Sequence, residues 1–232
     1  DSANLPLPLG DPSSLPLPLG EGRGEGVRLG GRGEGVPGVV QAKREGTGGD
    51  ARAPRPGLRC PACDLTFHQA DGIWRFIPPD RLAHYDQFVR EYETVRLAEG
   101  RASPDDAYYR SLPFSDLTGK QTDNWRIRAK RFEVLLERTI EPMEARLRRS
   151  LAVLDLGAGN GWLSYRMAAR GHRAFAVDLL VNGFDGLGCH VHYDAPFTPV
   201  QAEFERLPFP DESADLAVFN ASLHYSTDYA AT

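Results

Sequence analysis

The chain has little cysteine: three residues in 232, with Cys60 and Cys63 close together and Cys189 alone. That count excludes a disulfide framework and reads as a protein of the reducing cytoplasm. It has no long apolar run; none approaches the ~20 residues that a membrane-crossing helix needs. No basic-then-apolar leader opens the sequence. It has no surplus of positive charge: 27 Lys and Arg stand against 32 Asp and Glu, a net charge of -5. A global basic field for gripping nucleic acid is thereby excluded, and a small-molecule partner is favoured over nucleic acid. What the chain does have is 41% hydrophobic residues, enough for a core, and 25% charged residues, the usual level for a soluble domain. Nothing in it fixes an oligomeric state.

Residues 1–56 differ from the rest. Leu5-Pro6-Leu7-Pro8-Leu9-Gly10 recurs as Leu15-Pro16-Leu17-Pro18-Leu19-Gly20, and Gly22-Arg23-Gly24-Glu25-Gly26-Val27 recurs as Gly31-Arg32-Gly33-Glu34-Gly35-Val36. Such a composition buries too little apolar surface to offset the entropy of ordering, so a disordered tail is expected. Short repeats of this kind also resemble translated repetitive DNA, and a true start further downstream is a second expectation.

Residues 57–80 read as a small module. Cys60-Pro61-Ala62-Cys63 is a knuckle that can aim two thiolates at one metal, and Asp71-Gly72 is a turn pair between two apolar segments. Residues 81–149 read as a helical prelude. Leu82, Tyr85, Phe88, Val89, Tyr92 and Val95 recur at helical spacing, with Gly100 as a stop. A second helix is expected from about Thr122 to Ile140, with Pro142 breaking or restarting it. From residue 150 the period changes. Strands are expected at Leu151–Leu156, Arg173–Val177, Pro199–Ala202 and Asp215–Phe219, with a helix at Leu163–Ala169. Strands alternating with helical crossovers imply an α/β, Rossmann-like open parallel sheet.

The decisive stretch is Val153-Leu154-Asp155-Leu156-Gly157-Ala158-Gly159-Asn160-Gly161-Trp162. An apolar strand ends beside an acid, and three glycines then fall at alternate positions before a helix. A dinucleotide fingerprint places its third glycine one residue later. The observed spacing suits a ligand that needs close backbone approach without a pyrophosphate. Asp178, 21 residues after Gly157, closes the second strand. A carboxylate there can accept both ribose hydroxyls, or can serve as a strand-end turn or cap.

These motifs resemble class I S-adenosylmethionine-dependent methyltransferases, from roughly Trp125 to the C-terminus. The resemblance implies an S-adenosyl-L-methionine-dependent methyltransferase, with a cradle of Gly157, Ala158, Gly159, Asn160 and Gly161 and with Asp178 and Leu179 at the ribose. In similar enzymes the acid matching Asp155 orients the methionine amino group; hydrogen bonding to the glycine loop's own amides is the alternative. Glu203, in Glu203-Phe204-Glu205-Arg206-Leu207-Pro208-Phe209, takes the position that receives the adenine amino group. Phe204 packs on adenine or in the core. The segment through Asn220, Ser222, His224 and Tyr225 resembles the fourth strand and its loop, so these four residues are expected to border the transferred methyl group, with Asn220 among the cofactor contacts. His224 is the candidate general base, its alternative a role in shaping the loop. Tyr108, Tyr109, Trp125 and the nearby arginines are candidates to cap an acceptor pocket. Two readings of other classes stand beside this one: a catalytically inactive pseudo-methyltransferase acting as a binding module, and an NAD(P)-dependent oxidoreductase, which the glycine spacing disfavours.

The knuckle and Asp71-Gly72-Ile73 resemble the second half of zinc-ribbon modules that precede some bacterial methyltransferase domains. A closed zinc site needs four ligands, and the chain has no second Cys-x-x-Cys. No metal is expected, with Cys60 and Cys63 as the candidate ligands and His68 and His84 as substitutes. Class I domains continue past the fourth strand through a fifth strand and a hairpin, whereas Ser226–Thr232 end this chain. The expectation is an incomplete domain with a bare sheet edge, a formed cofactor half and a deficient acceptor half.

Overall fold

The computed structural model describes residues 57–60, 64–226 and 228–230. The tail expected over residues 1–56 lies outside these, as does Cys63 of the knuckle. Seven strands are described: β1 (Leu58–Arg59), β2 (Thr66–Ala70), β3 (Ile73–Arg75), β4 (Ala152–Leu156), β5 (Arg173–Asp178), β6 (Thr198–Gln201) and β7 (Leu216–Phe219). They form one sheet in the order β1-β2-β3-β6-β5-β4-β7. The helices are α1 (Pro79–Ala98), α2 (Asp106–Ser111), α3 (Thr122–Leu135), α4 (Glu141–Leu147) and α5 (Trp162–Ala169). No helix among the described residues is long and apolar enough to cross a membrane.

β4 is buried at all five positions, as an apolar run flanked on both sides by parallel strands should be. β5 and β7 pair with it in parallel, one on each side. The chain steps outward from β4 to β5 and β6, then returns across β4 to lay down β7. That reversal is the switch point at which open α/β sheets place a ligand, beyond the carboxyl ends of the strands. Alternation along β4 divides the core. Val153 packs with Trp125, Phe132, Trp162, Leu163 and Met167 on the helical side. Leu154 and Leu156 pack on the opposite face with Val177 and Val200, covered by Trp74, Phe76, Phe204 and Phe209. Asp155 shares the helical side with Val153.

The turn between β2 and β3 has positive φ at both Asp71 (51°) and Gly72 (80°), the mirror-image turn that matches the twist of a hairpin. This hairpin does not stand apart as the separate module expected from the sequence. Trp74 pairs with Val200 and Arg75 with Gln201, both in parallel, and Phe76 N–H donates to the Gln201 carbonyl at 2.9 Å. The hairpin thereby covers the β6 edge, which would otherwise present unpaired backbone, and delivers Trp74 and Phe76 to the core. The second expected helix also differs. It passes from α3 through a π turn at Leu136–Ile140 into α4. Pro142 falls just after this π turn, where α4 begins, and the chain stays helical across it, so of the two outcomes expected for Pro142 it is the restart that is seen. Between β5 and β6 the crossover contains a 3-10 turn, Leu187–His192, in place of a regular helix.

α1 spans 20 residues and has none buried. Leu82 and Val95, expected on its apolar face, are exposed, while Tyr85, Phe88 and Tyr92 turn toward a cavity above the sheet.

Candidate functional site

The site is built outward from the end of β4. Gly157 has φ +75°, and a Cβ there would lie 2.3 Å from Ser222 Cβ, so glycine is required both by backbone conformation and by space. The N–H groups of Gly157 and Ala158 donate to the Val177 carbonyl at 2.8 and 3.1 Å, which ties the loop to β5. Asp178 holds the loop from the other side. One carboxylate oxygen accepts from Gly159 N–H and the other from Leu180 N–H, each at 2.8 Å. The strand-end role weighed for Asp178 is therefore present, and a carboxylate with about four acceptor sites keeps capacity for further donors. Burial raises the Asp178 carboxyl above the usual range, against the lowering effect of these two amides.

Asp155 is 1% exposed. Its Oδ2 accepts from Ser164 N–H at 3.1 Å and Ser164 Oγ at 2.9 Å. The backbone partner is thus in α5, not in the glycine loop that the sequence suggested, because strand alternation points Asp155 at the helical side. Burial pushes its carboxyl up to about 7, the neighbouring Asp178 adding to the shift and Ser164 opposing it. Asn160 Oδ1 accepts from Trp162 N–H at 3.2 Å at the start of α5. At the other end, Glu203 is 5% exposed, and its two oxygens accept from Arg81 Nε at 2.9 Å and Nη2 at 3.0 Å. This bond raises the Arg81 pKa further above its already high ordinary value.

These groups surround one cavity of about 720 Å³, within the range of small-molecule sites. Asp155, Gly157, Ala158, Gly159, Asn160, Asp178, Leu179, Glu203, Phe204 and Asn220 all line it. Gly161 and His224 do not. Gly161 has φ +81°, and a Cβ there would meet the Phe197 ring at 2.6 Å, so its glycine serves packing behind the loop. His224 is exposed on the 3-10 turn Leu223–Tyr225 and is not brought to the cavity; its neighbour Tyr225 is. Tyr108, Tyr109 and Trp125 are core residues, whereas Arg128, among the nearby arginines, does reach the cavity wall. Cys60 follows β1, and among the described residues no group of three or more His, Cys, Asp or Glu could hold a metal ion.

The residues missed from the sequence form the roof. Arg81, Tyr85, Phe88, Tyr92 and Arg96 of α1 all line the cavity. Phe88 and Tyr92 also reach Tyr225, with ring centroids 6.4 and 5.9 Å away. The available signal was the stripe at 85, 88 and 92, which helical spacing puts on one face.

Residues 154–232 match the family model described as a methyltransferase domain. This segment is similar to that family. Its mostly parallel sheet fits the class I arrangement. None of the curated proteins compared with the chain matches it. The matched segment supplies most of the cavity floor, and α1 and α3, which precede it, supply the roof and one wall.

Proposed function

We propose that the chain binds S-adenosylmethionine in this cavity and transfers its methyl group to a small-molecule acceptor. Proteins of the matched family generally use that cofactor. The observation that carries the reading is the pair of desolvated carboxylates, Asp155 and Asp178, beside a glycine loop at the switch point. Asp155 has hydroxyl and amide donors but no cation within ion-pair distance among the described residues. A cationic ligand group is what such a buried acid lacks. Two acids at the same place repel the phosphates of a dinucleotide.

On this reading Asp155 orients the ligand's ammonium group, and Asp178 accepts its ribose hydroxyls with the lone pairs that Gly159 and Leu180 leave. Glu203, fixed by Arg81, faces the adenine, with Phe204 beside it. The bound cofactor supplies a methyl group already activated by its sulfonium, so the reaction depends mainly on orientation, a contribution of roughly 7–11 kcal/mol. A histidine base is then unnecessary, in keeping with His224 outside the cavity. A small acceptor is favoured over nucleic acid by the chain's net charge of -5.

Titration calorimetry of the chain with S-adenosylhomocysteine and with NAD tests the reading. Binding of S-adenosylhomocysteine alone is expected; binding of NAD alone overturns it. Binding of S-adenosylhomocysteine without turnover of any acceptor would instead favour a non-catalytic binding module.

A further inference from the structure

Arg128 projects from α3 into the cavity wall, its guanidinium carbon 4.7 Å from the Trp125 ring centroid. Two other guanidiniums share its surroundings, Arg96 and Arg101. Arg96 Nε donates to Asp185 at 2.6 Å, and both Arg96 and Arg101 pair with Glu99. Those two acids serve the other two arginines. No carboxylate among the described residues lies within ion-pair distance of Arg128. Burial lowers its pKa to about 10, and the like charges of Arg101 and Arg96 add to the effect. A partly buried guanidinium with no carboxylate at ion-pair distance is costly, and an apolar residue stacked on Trp125 would cost less. Its position in a ligand cavity accounts for its presence.

The location narrows the ligand group. Trp125 touches Trp162, the first residue of α5, with centroids 6.1 Å apart. Asn160 and Trp162 line the same cavity as Arg128. The carbonyl oxygen of Asp185 lies 3.4 Å from the place a Cβ of Gly159 would take. Arg128 thus stands at the glycine-loop end, opposite the Arg81–Glu203 end. We propose that Arg128 seats the carboxylate of the ligand's amino-acid portion, through the paired N–H groups of its planar fork. This rests on the cofactor reading above. It gives the two charges of that portion separate partners, Arg128 for the carboxylate and Asp155 for the ammonium.

Calorimetry of the full chain with S-adenosylhomocysteine and with 5′-methylthioadenosine, which lacks the amino-acid end, tests the assignment. Arg128→Gln should weaken S-adenosylhomocysteine about tenfold or more and leave 5′-methylthioadenosine within about twofold. Arg128→Lys should recover part of the loss. Equal loss of both ligands, or loss of neither, overturns the assignment while the cofactor reading stands. A wild-type chain that binds neither ligand overturns both. Thermal melts without ligand check folding; should the Gln variant unfold, the Lys variant carries the same comparison, with S-adenosylhomocysteine weakened and 5′-methylthioadenosine unchanged.

Discussion

The floor of the cavity is β4, every residue of which is buried, together with the glycine loop that follows it. The roof is α1, four times as long, with no buried residue. Dense packing fixes the floor. Side-chain pins fix the roof: Arg81 to Glu203, Asn182 to Glu93, Arg96 to Asp185, and the Phe88–Tyr92 pair against Tyr225. A helix held in this way draws little stability from the core, since most helix stability in proteins comes from burying an apolar face. The aromatic face of α1 is therefore completed by whatever fills the cavity.

Substitutions should break the two regions unequally. Gly157→Val places a Cβ against Ser222 and imposes a positive φ on a β-branched residue. It is expected to cost about 2–5 kcal/mol, read as a large fall in denaturation midpoint. Phe88→Ala, in the roof, should cost only about 1 kcal/mol because the ring is half-buried, yet should lower ligand affinity. Equal stability losses would erase the distinction. Hydrogen exchange sharpens it further. The amides of Pro79–Ala98 should exchange by local opening well before those of β4. S-adenosylhomocysteine at 100 times its Kd should slow α1 exchange by up to about 100-fold. Matching exchange rates in the free protein would show that α1 belongs to the same cooperative unit as the sheet.

The same division decides what the sequence could disclose. The floor is local: strand period, three glycines and an acid lie within ten residues, and each is required by backbone geometry that only those residue types meet. Asp178 followed from counting strand, helix and strand. The roof is not local. Helical spacing showed that Tyr85, Phe88 and Tyr92 share a face, but spacing alone cannot distinguish a face that meets core from one that meets a cavity. The hairpin's docking was hidden for the same reason, since Arg75 and Gln201 stand 126 residues apart. His224 lies one residue away from the cavity wall. The short 3-10 turn points Tyr225 inward and leaves His224 in solvent, and the rotation of so short a turn is not written in a hydrophobic pattern. Gly161 had the right residue type, serving the packing of Phe197 rather than the ligand.

Protonation offers a finer probe of the floor. Asp155, raised to about 7 in the free protein, must ionise to meet a cationic ligand group. Protons then compete with the ligand. Affinity for S-adenosylhomocysteine should rise from pH 5 toward 7, by at most about tenfold per unit, and level off above. Asp155→Asn should flatten this slope. 5′-Methylthioadenosine, which has no ammonium, should show little of it, and an equal slope for both ligands would remove Asp155 from the amino-acid end.

The smallest expected effect lies at the outer strand of the floor, where an acid behaves in the opposite sense. Asp215 accepts two hydrogen bonds from Arg149, each at 2.7 Å, and one from Ala152 N–H at 2.8 Å. The Arg149 contact first, then the amide, hold its carboxyl well below the usual carboxylate range. A depressed folded pKa contributes stability above the unfolded value of about 3.9, and that contribution is lost as pH falls below it. A raised folded pKa does the reverse, so Asp155 costs the free protein stability as pH climbs from about 4 toward 7. Denaturant unfolding at several pH values should therefore show Asp215→Asn flattening the acid limb and Asp155→Asn flattening the neutral limb. Arg149 is half exposed, so the first change should be modest. An Asp215→Asn variant that lost as much stability at pH 7 as Gly157→Val would mean that the β7 edge is anchored by this pair rather than by its pairing with β4.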